Sequence, residues 1–548
     1  MKRFLFILLA ALTLAALLTG AALAYNENTN DDGTYQFDVL EDGTAQLTLF
    51  NLNDQDHTEF TLPDTVYDKN GTAYTVTCLG SNSLSLSGVR ILTIPDSITL
   101  SAGEEHKTLG GDVEEYRVSD SHPTLAVMDG VLFNKAEKAL IKYPTKKLAR
   151  AYAIPDGIQT VAPFAFWGAS HLHTLTIPNS TTNVGYGQFQ YTNIGDLQLA
   201  ADHPTLALTD NILYHKQERT AIAAVYEVFQ YDIPEGIVKI GPWAFAHMTD
   251  SIVAVNTPST LTEIGAYAFY DCRVQRLSLA EGLERIGDSA FCWCTLLTEI
   301  ELPESLLEIG DNAFLHDRIK SLWVPANVKR IGDLAFASSD LEEVILPEGL
   351  LEIGKSAFYD SDLKAVTVPG SVQVMGSNAF YYCRSLENAV LSEGIEELPY
   401  GLFQYCDQLT SVTLPDGLKT IGDCVFSNCT ALAELALPEG LESIGGSVFY
   451  NCTGLKSLVL PASVKMINSR AFDKTQDLVL TVVKGSTAES ICAKYNWEYI
   501  YGEGTAKAPA IPDWLLPAPQ PVTECPACGH ELPEGHDFQY CPWCGKEL

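Results

Sequence analysis

The chain has 548 residues, more than one hydrophobic core normally serves, so either several domains or a repeat is required. Its 46% hydrophobic and 10% aromatic content excludes a disordered chain. A formal charge of -35 surrounds it with a negative field that disfavours nucleic acid and anionic lipid as partners.

The N-terminus reads as an export signal over residues 1–24. Lys2 and Arg3 give a positive start, Phe4 to Leu18 run apolar without a charge, and Ala22-Leu23-Ala24 supplies small residues for cleavage after Ala24. That run, about 15 residues, falls short of the roughly 20 a bilayer span needs. No cysteine follows it to accept a lipid, and no other segment is apolar enough to span. A secreted or cell-surface location follows, with no integral membrane span once the signal is removed. Residues 25–100, with the alternating "DGTYQFDVLEDGTAQLTLF" and an "LTIPDSI" phrase, form a β cap and a first repeat. Residues 101–480 form a solenoid with two inserts, 122–144 and 203–225. These inserts are copies of each other, "HPTLAVMDGVLFNKAEKALIKYP" and "HPTLALTDNILYHKQERTAIAAV", and each reads as a β-hairpin. They are expected to be ornaments of the convex side or partner contacts.

The solenoid is carried by one returning phrase, as in "LEEVILPEGLLEIGKSAFYDS" and "LTSVTLPDGLKTIGDCVFSNC". Its final phenylalanine recurs from Phe245 through Phe269, Phe291, Phe314, Phe336, Phe358, Phe380, Phe403, Phe426 and Phe449 to Phe472, in steps of 22 to 24 residues. The L-x-x-L-x-L stretch alternates, so as a strand it points Ile300 and Leu302 inward and Glu299 and Glu301 outward. Proline, as at Pro303, Pro325 and Pro347, then turns the chain out of the sheet. Ile-Gly pairs such as Ile353-Gly354 bury one apolar residue and permit a bend, and Ala-Phe closes the coil. One coil alone cannot bury these residues, whereas stacked coils align them in columns. The phrase resembles the BspA-like leucine-rich repeats of bacterial surface and secreted proteins over roughly residues 150 to 480. The resemblance implies a right-handed solenoid with a parallel β-sheet on one face and short turns or helices on the other, and a role in adhesion or protein binding without catalysis. Ala280 and Ser392 in place of the turn proline, and Leu398-Pro399 in place of Ile-Gly, depart from the pattern locally. Residues 481–502 read as a C-terminal cap of short helix plus strand, and 503–523 as a Pro-rich linker.

Phe-x-x-Cys recurs at Cys272, Cys294, Cys383, Cys406, Cys429 and Cys452, with Asp317, Ser339, Ser361 and Thr475 at the same place in other coils. Stacked strands sit about 4.8 Å apart with parallel side chains, whereas a disulfide wants converging Cβ atoms about 3.8 Å apart, so a buried thiol ladder is expected. The tail differs in kind. Cys525 and Cys528, then Cys541 and Cys544, form two knuckles separated by 12 residues, each followed by glycine (Gly529, Gly545). Four thiolates delivered this way suit one tetrahedral, structural Zn2+ per chain, with two disulfides as the alternative and His530 and His536 near enough to substitute. Residues 524–548 resemble a zinc ribbon.

No nucleophile, base or carboxylate pair stands outside the repeat logic. Glu304, Glu348 and Glu439 recur in the turn after proline, and His171 and His173 alternate along one strand as surface residues. The expectation is therefore a non-enzyme that binds extracellular or cell-envelope proteins, with an envelope coat component or a secreted hydrolase of unrecognised site as alternatives. The outward strand positions two and four residues before the proline carry mostly small or polar side chains. Trp323 and Ile345 break that pattern on consecutive coils, and with Val390 and Arg276 they are the candidate partner-binding residues. The competing reading is a lone surface tryptophan covered by a neighbour.

Overall fold

The computed structural model describes residues 35–502 apart from 52–57, 81–83, 226–227 and 249–252. The export signal, the Pro-rich linker and the four tail cysteines lie outside the described residues. The chain forms two compact units, residues 1–297 and 298–548.

In the first unit, strands Tyr35–Val39 and Ala45–Asn51 pair antiparallel, and Ala73–Leu79 adds in parallel. Phe37, Leu47, Val66 and Val76 are fully buried between them and the first coil. Parallel coils follow, each giving a strand to two separate sheets. One row runs Glu59–Thr61, Ile91–Thr93, Glu115–Arg117; a second runs Ala151–Ala153, Thr174–Ile177, Asp196–Leu199; a third runs Gln230–Asp232, Ala254–Asn256, Arg276–Ser278.

The inserts are not ornaments. Leu125–Met128, Val131–Asn134 and Ala139–Lys142 form an antiparallel meander whose last strand pairs in parallel with Thr160–Val161 of the next coil. The second insert repeats this through Thr220–Ala224 and Lys239–Ile240. Val131 to Asn134 and Ala139 to Lys142 are all buried, so each insert starts a new run of the second sheet and supplies part of its core. The two "HPTL" phrases anchor the inserts identically. His203 Nδ1 accepts from Leu206 N at 3.1 Å while Nε2 donates to Pro178 O at 3.2 Å, and His122 does the same with Leu125 N at 3.0 Å and Pro95 O at 3.2 Å. An imidazole that accepts through one nitrogen must be neutral.

The second unit is the more regular. Its rings stack face to face from Phe314 to Phe472, with centroids 5.2 Å apart at Phe314–Phe336 and 5.9 Å at Phe403–Phe426. Trp497 then lies edge-on to Phe472 at 4.9 Å and ends the column. It follows the helix Thr487–Tyr495, which is capped by Ser486 Oγ accepting from Glu489 N and ends at Asn496 in the left-handed region. Most coils also hold two left-handed residues around the phenylalanine, for instance Leu334 (φ 55°) and Ser338 (φ 51°). They aim alternate amides at the next coil: Leu334 N, Phe336 N and Ser338 N donate to Lys355 O, Ala357 O and Tyr359 O at 2.8, 2.8 and 2.6 Å. Two non-glycine left-handed residues cost about 2–4 kcal/mol, which three net hydrogen bonds of about 1 kcal/mol each roughly offset. Burying the phenylalanine, worth about 1.5–3 kcal/mol, then favours the coil.

Three expectations are corrected. The glycine after isoleucine is not there to bend the chain. Gly354 has no left-handed φ, and a Cβ on it would lie 2.4 Å from Asp333 N and Gly332 C of the coil before, so close stacking excludes any side chain. Residues 299–302 form no strand, and Ile300 and Leu302 are only half-buried. They belong to neither the row ending at Arg276–Ser278 nor the one starting at Ser321–Trp323, so they lack a ladder to extend them. Val390, expected to face outward, is buried at 8% exposure, flanked in register by Thr367 and Thr413.

Cys383, Cys406, Cys429 and Cys452 are free thiols. Each donates to the phenylalanine carbonyl of the preceding coil: Cys383 to Phe358 O at 3.0 Å, Cys406 to Phe380 O at 3.1 Å, Cys429 to Phe403 O at 3.2 Å, Cys452 to Phe426 O at 3.0 Å. In the first unit Cys272 donates to Phe245 O and Cys294 to Phe269 O. The position thus selects a small donor, which is why Thr475, bonded to Phe449 O, can replace it. Ser339 and Ser361 donate instead to the phenylalanine carbonyl of their own coil, Phe336 O and Phe358 O, and Asp317 departs further. It is 2% exposed, one carboxyl oxygen accepts from Ile319 N at 2.9 Å, and burial holds its pKa well above the ordinary range.

Burial pushes the Cys406 and Cys429 thiols far up and Cys452 to about 12. In the native protein at pH 8, Cys406, Cys429 and Cys452 should therefore not react with a thiol-disulfide reagent, and should all react in denaturant; mass shifts of missing thiols would show bridges instead.

Burial also lowers the His203 pKa, with Lys216 adding to it and Asp202 opposing. A depressed folded-state value means the stability is present above the unfolded pKa of about 6.5 and is lost as pH falls below it. The melting temperature should drop between pH 7 and pH 5, and less so in His203→Gln, which has no imidazole to protonate.

Candidate functional site

Strands Ser321–Trp323 and Glu343–Ile345 pair in parallel with Trp323 opposite Ile345. Both side chains stand on the outward face of this two-stranded sheet, with Leu322 buried behind them. Trp323 is 56% exposed and Ile345 48%. In-register neighbours on adjacent strands lie about 4.8 Å apart, so indole and isoleucine form one apolar patch. No neighbour covers the indole, contrary to the lone, covered tryptophan considered above. Beside the patch runs an ion-pair ladder. Glu342 sits between Lys364 at 2.5 Å and Lys320 at 3.7 Å, and its carboxyl is held below the usual range first by the Lys364 hydrogen bond and then by that charge. An apolar centre with a charged margin is the arrangement of a protein-binding patch.

The structure does not bring the four candidate residues together. Val390 is buried in a different sheet of the same unit, and Arg276, exposed on Arg276–Ser278, belongs to the first unit.

A second aromatic surface had no counterpart in the sequence reading. Tyr359, Tyr381, Tyr382 and Tyr405 gather beside the phenylalanine column, with Tyr359 stacked on Tyr381 at 5.5 Å and Tyr405 edge-on to Tyr381 at 5.6 Å. The Arg384 guanidinium lies over the Tyr382 ring at 4.1 Å. Tyr405 is 36% exposed, and burial pushes the Tyr359 hydroxyl up to about 12. The signal was the tyrosine just after "AF" in "AFYDSD" and "AFYYCRS", which the Phe-x-x-Cys register obscured. In the first unit Lys107 Nζ lies 3.8 Å from the Phe164 ring and 4.0 Å from that of Trp243, and Trp243 stacks on Tyr267 at 4.5 Å. These faces are already occupied by the protein's own groups.

Among the described residues, no group of three or more His, Cys, Asp or Glu is arranged to hold a metal ion, and no helix is long and apolar enough to cross a membrane.

The model of the BspA type leucine rich repeat region (6 copies) matches residues 145–213, 225–342, 307–430 and 373–493. Similar solved structures include a leucine-rich repeat protein from Bacteroides ovatus, 20% identical over 86% of this chain and 98% of that one, with a TM-score of 0.42. A leucine rich cell surface protein from Faecalibacterium prausnitzii is 17% identical over 86% and 94%, TM-score 0.27. The pneumococcal vaccine antigen PcpA is 13% identical over 86% and 96%, TM-score 0.24. No curated protein matches the chain.

Proposed function

The chain belongs to the BspA type leucine-rich repeat family, and from that premise we propose that it is an exported protein that binds other proteins, at the cell surface or in the extracellular space, without catalysis. Family membership supports an interaction role, the charged start and apolar run of residues 2–18 support export, and the negative charge favours a protein partner over nucleic acid or anionic lipid. The observation that carries the reading is the Trp323–Ile345 patch. Exposed apolar area next to a charged margin has no role in folding, and a tryptophan at the centre of such a patch is the residue type that dominates binding energy. The test is capture of extracellular proteins by the full chain and by Trp323→Ala in parallel. A partner held by the patch binds Trp323→Ala weaker by about 2 kcal/mol, roughly 30-fold, at an unchanged melting temperature. Equal binding by both chains removes the patch from the site, and reversible self-assembly in place of capture favours a coat component.

The tail is proposed to hold one structural zinc ion. Cys525, Cys528, Cys541 and Cys544 supply four thiolates, a donor set that suits closed tetrahedral zinc and leaves no open position for chemistry. So small a module needs such a staple to fold. Elemental analysis of the purified protein should give one zinc per chain, lost in Cys525→Ala with no change in the melting of the repeats. Absence of zinc with mass shifts for two disulfides reverses the assignment.

A further inference from the structure

The two inserts repeat one another in sequence, yet they finish differently. In the first, Tyr116 N, on the outer edge of the strand Glu115–Arg117, donates to Gly130 O at the hairpin tip at 3.0 Å. The hairpin's return ends at Pro144, which has no N–H to compete for that carbonyl. In the second copy the counterparts are Leu197, Asn211 and Val225. Val225 does have an N–H, and it donates to Asn211 O at 2.8 Å, so this carbonyl is turned to its own hairpin.

Among the described residues, the strand Asp196–Leu199 is therefore left with one neighbouring strand. It pairs in parallel with Thr174–Ile177 and ends its sheet. Asp196 N donates to His173 O at 3.1 Å, so by the alternation of a parallel ladder Asp196 and Gln198 bond to that neighbour, while Leu197 and Leu199 turn their N–H and C=O to the other edge. An open cleft of about 640 Å³ crosses the C-terminal ends of the three strands of this sheet, lined by Asp156, by Thr176 to Asn179 and by Leu197 to Ala200, so its outer end reaches the edge strand.

We propose that this edge accepts an extended segment of a partner polypeptide as an added strand, with a basic residue against Asp196. Backbone pairing supplies the affinity and charge supplies the selectivity. Charge decides the occupant: Asp196, exposed on the edge strand of a chain of net charge -35, repels a second copy and attracts a cationic peptide. The inference rests on the reading of the chain as a binder of polypeptides. It uses a different unit from Trp323, so Trp323→Ala leaves it untouched and the two can fail separately.

The probe is a fluorescent eight-residue peptide of alternating valine and threonine with lysine at each end, titrated into the full chain. Two isomers of it are N-methylated on alternate residues, one set or the other. An added strand uses one set of amides, so one isomer binds as the parent does and the other binds at least tenfold weaker. Val225→Pro copies the first insert, frees Asn211 O to close on Leu197 N, and weakens the parent peptide at least tenfold in a chain that melts as wild type. Should that variant fail to fold, Asp196→Lys serves: it weakens the lysine-ended peptide at least fivefold and not a glutamate-ended one. Equal binding of both isomers, no binding of the parent, or indifference to these substitutions overturns the proposal. So does a concentration-dependent dimer that Val225→Pro dissolves without any uptake of peptide, which assigns the edge to a second copy.

Discussion

Every feature of the repeats follows from the hydrogen bonding of one coil to the next. Backbone amides satisfied between coils hold their separation near the strand spacing, and side chains then have no freedom to choose their neighbours. Phenylalanine must lie on phenylalanine, glycine must stand where coil backbones approach to 2.4 Å of a notional Cβ, and a small donor fits where it gives the phenylalanine carbonyl of the previous coil, already bonded to an amide of its own coil, a second hydrogen bond. The same constraint accepts conformational strain. Leu334 and Tyr267 adopt left-handed backbone that their side chains disfavour, because only that turn aims three successive alternate amides at the adjacent coil.

How much of this the sequence disclosed depends on whether a position's requirement shows in residue type. The phenylalanine column was legible because nothing else fills that space, and the thiol ladder because spacing argued against bridges. The donor role of the cysteines was not, since serine, threonine and cysteine share size as well as a proton. Left-handed positions were harder to see: asparagine and aspartate mark some, as at Asn312, Asn378, Asn428 and Asp360, but leucine, tyrosine, serine and cysteine hold others, as at Leu334, Tyr267, Ser338 and Cys424. Glycine was recognised for the wrong reason, since steric exclusion by a neighbouring coil and freedom to bend select the same residue. The inserts were read as excursions because a hairpin pattern carries no sign of which sheet its last strand will join.

The candidate surfaces show the same divide. Trp323 and Ile345 stood out against columns of polar residues, and a departure from periodicity is readable without coordinates. Val390 satisfied the same pattern and is nevertheless buried among its neighbours, because the period gives direction and not depth. The tyrosine cluster required knowing that residues next to the phenylalanine emerge together. The open edge at Asp196–Leu199 turns on whether the residue at the end of the insert, Pro144 or Val225, has an amide proton, which a shared hairpin pattern does not disclose.

The ladder also has a mechanical consequence. In the second unit the bonds between coils point along the stacking direction, so tension applied to its two ends loads them one coil at a time, as a zip, rather than all together in shear. A coil of 22 residues such as Phe358 to Phe380, once peeled, extends by about 70 Å in place of the roughly 5 Å it occupied. A load applied across this unit would thus meet a chain that lengthens in large steps, one coil at a time, and so limits the peak force.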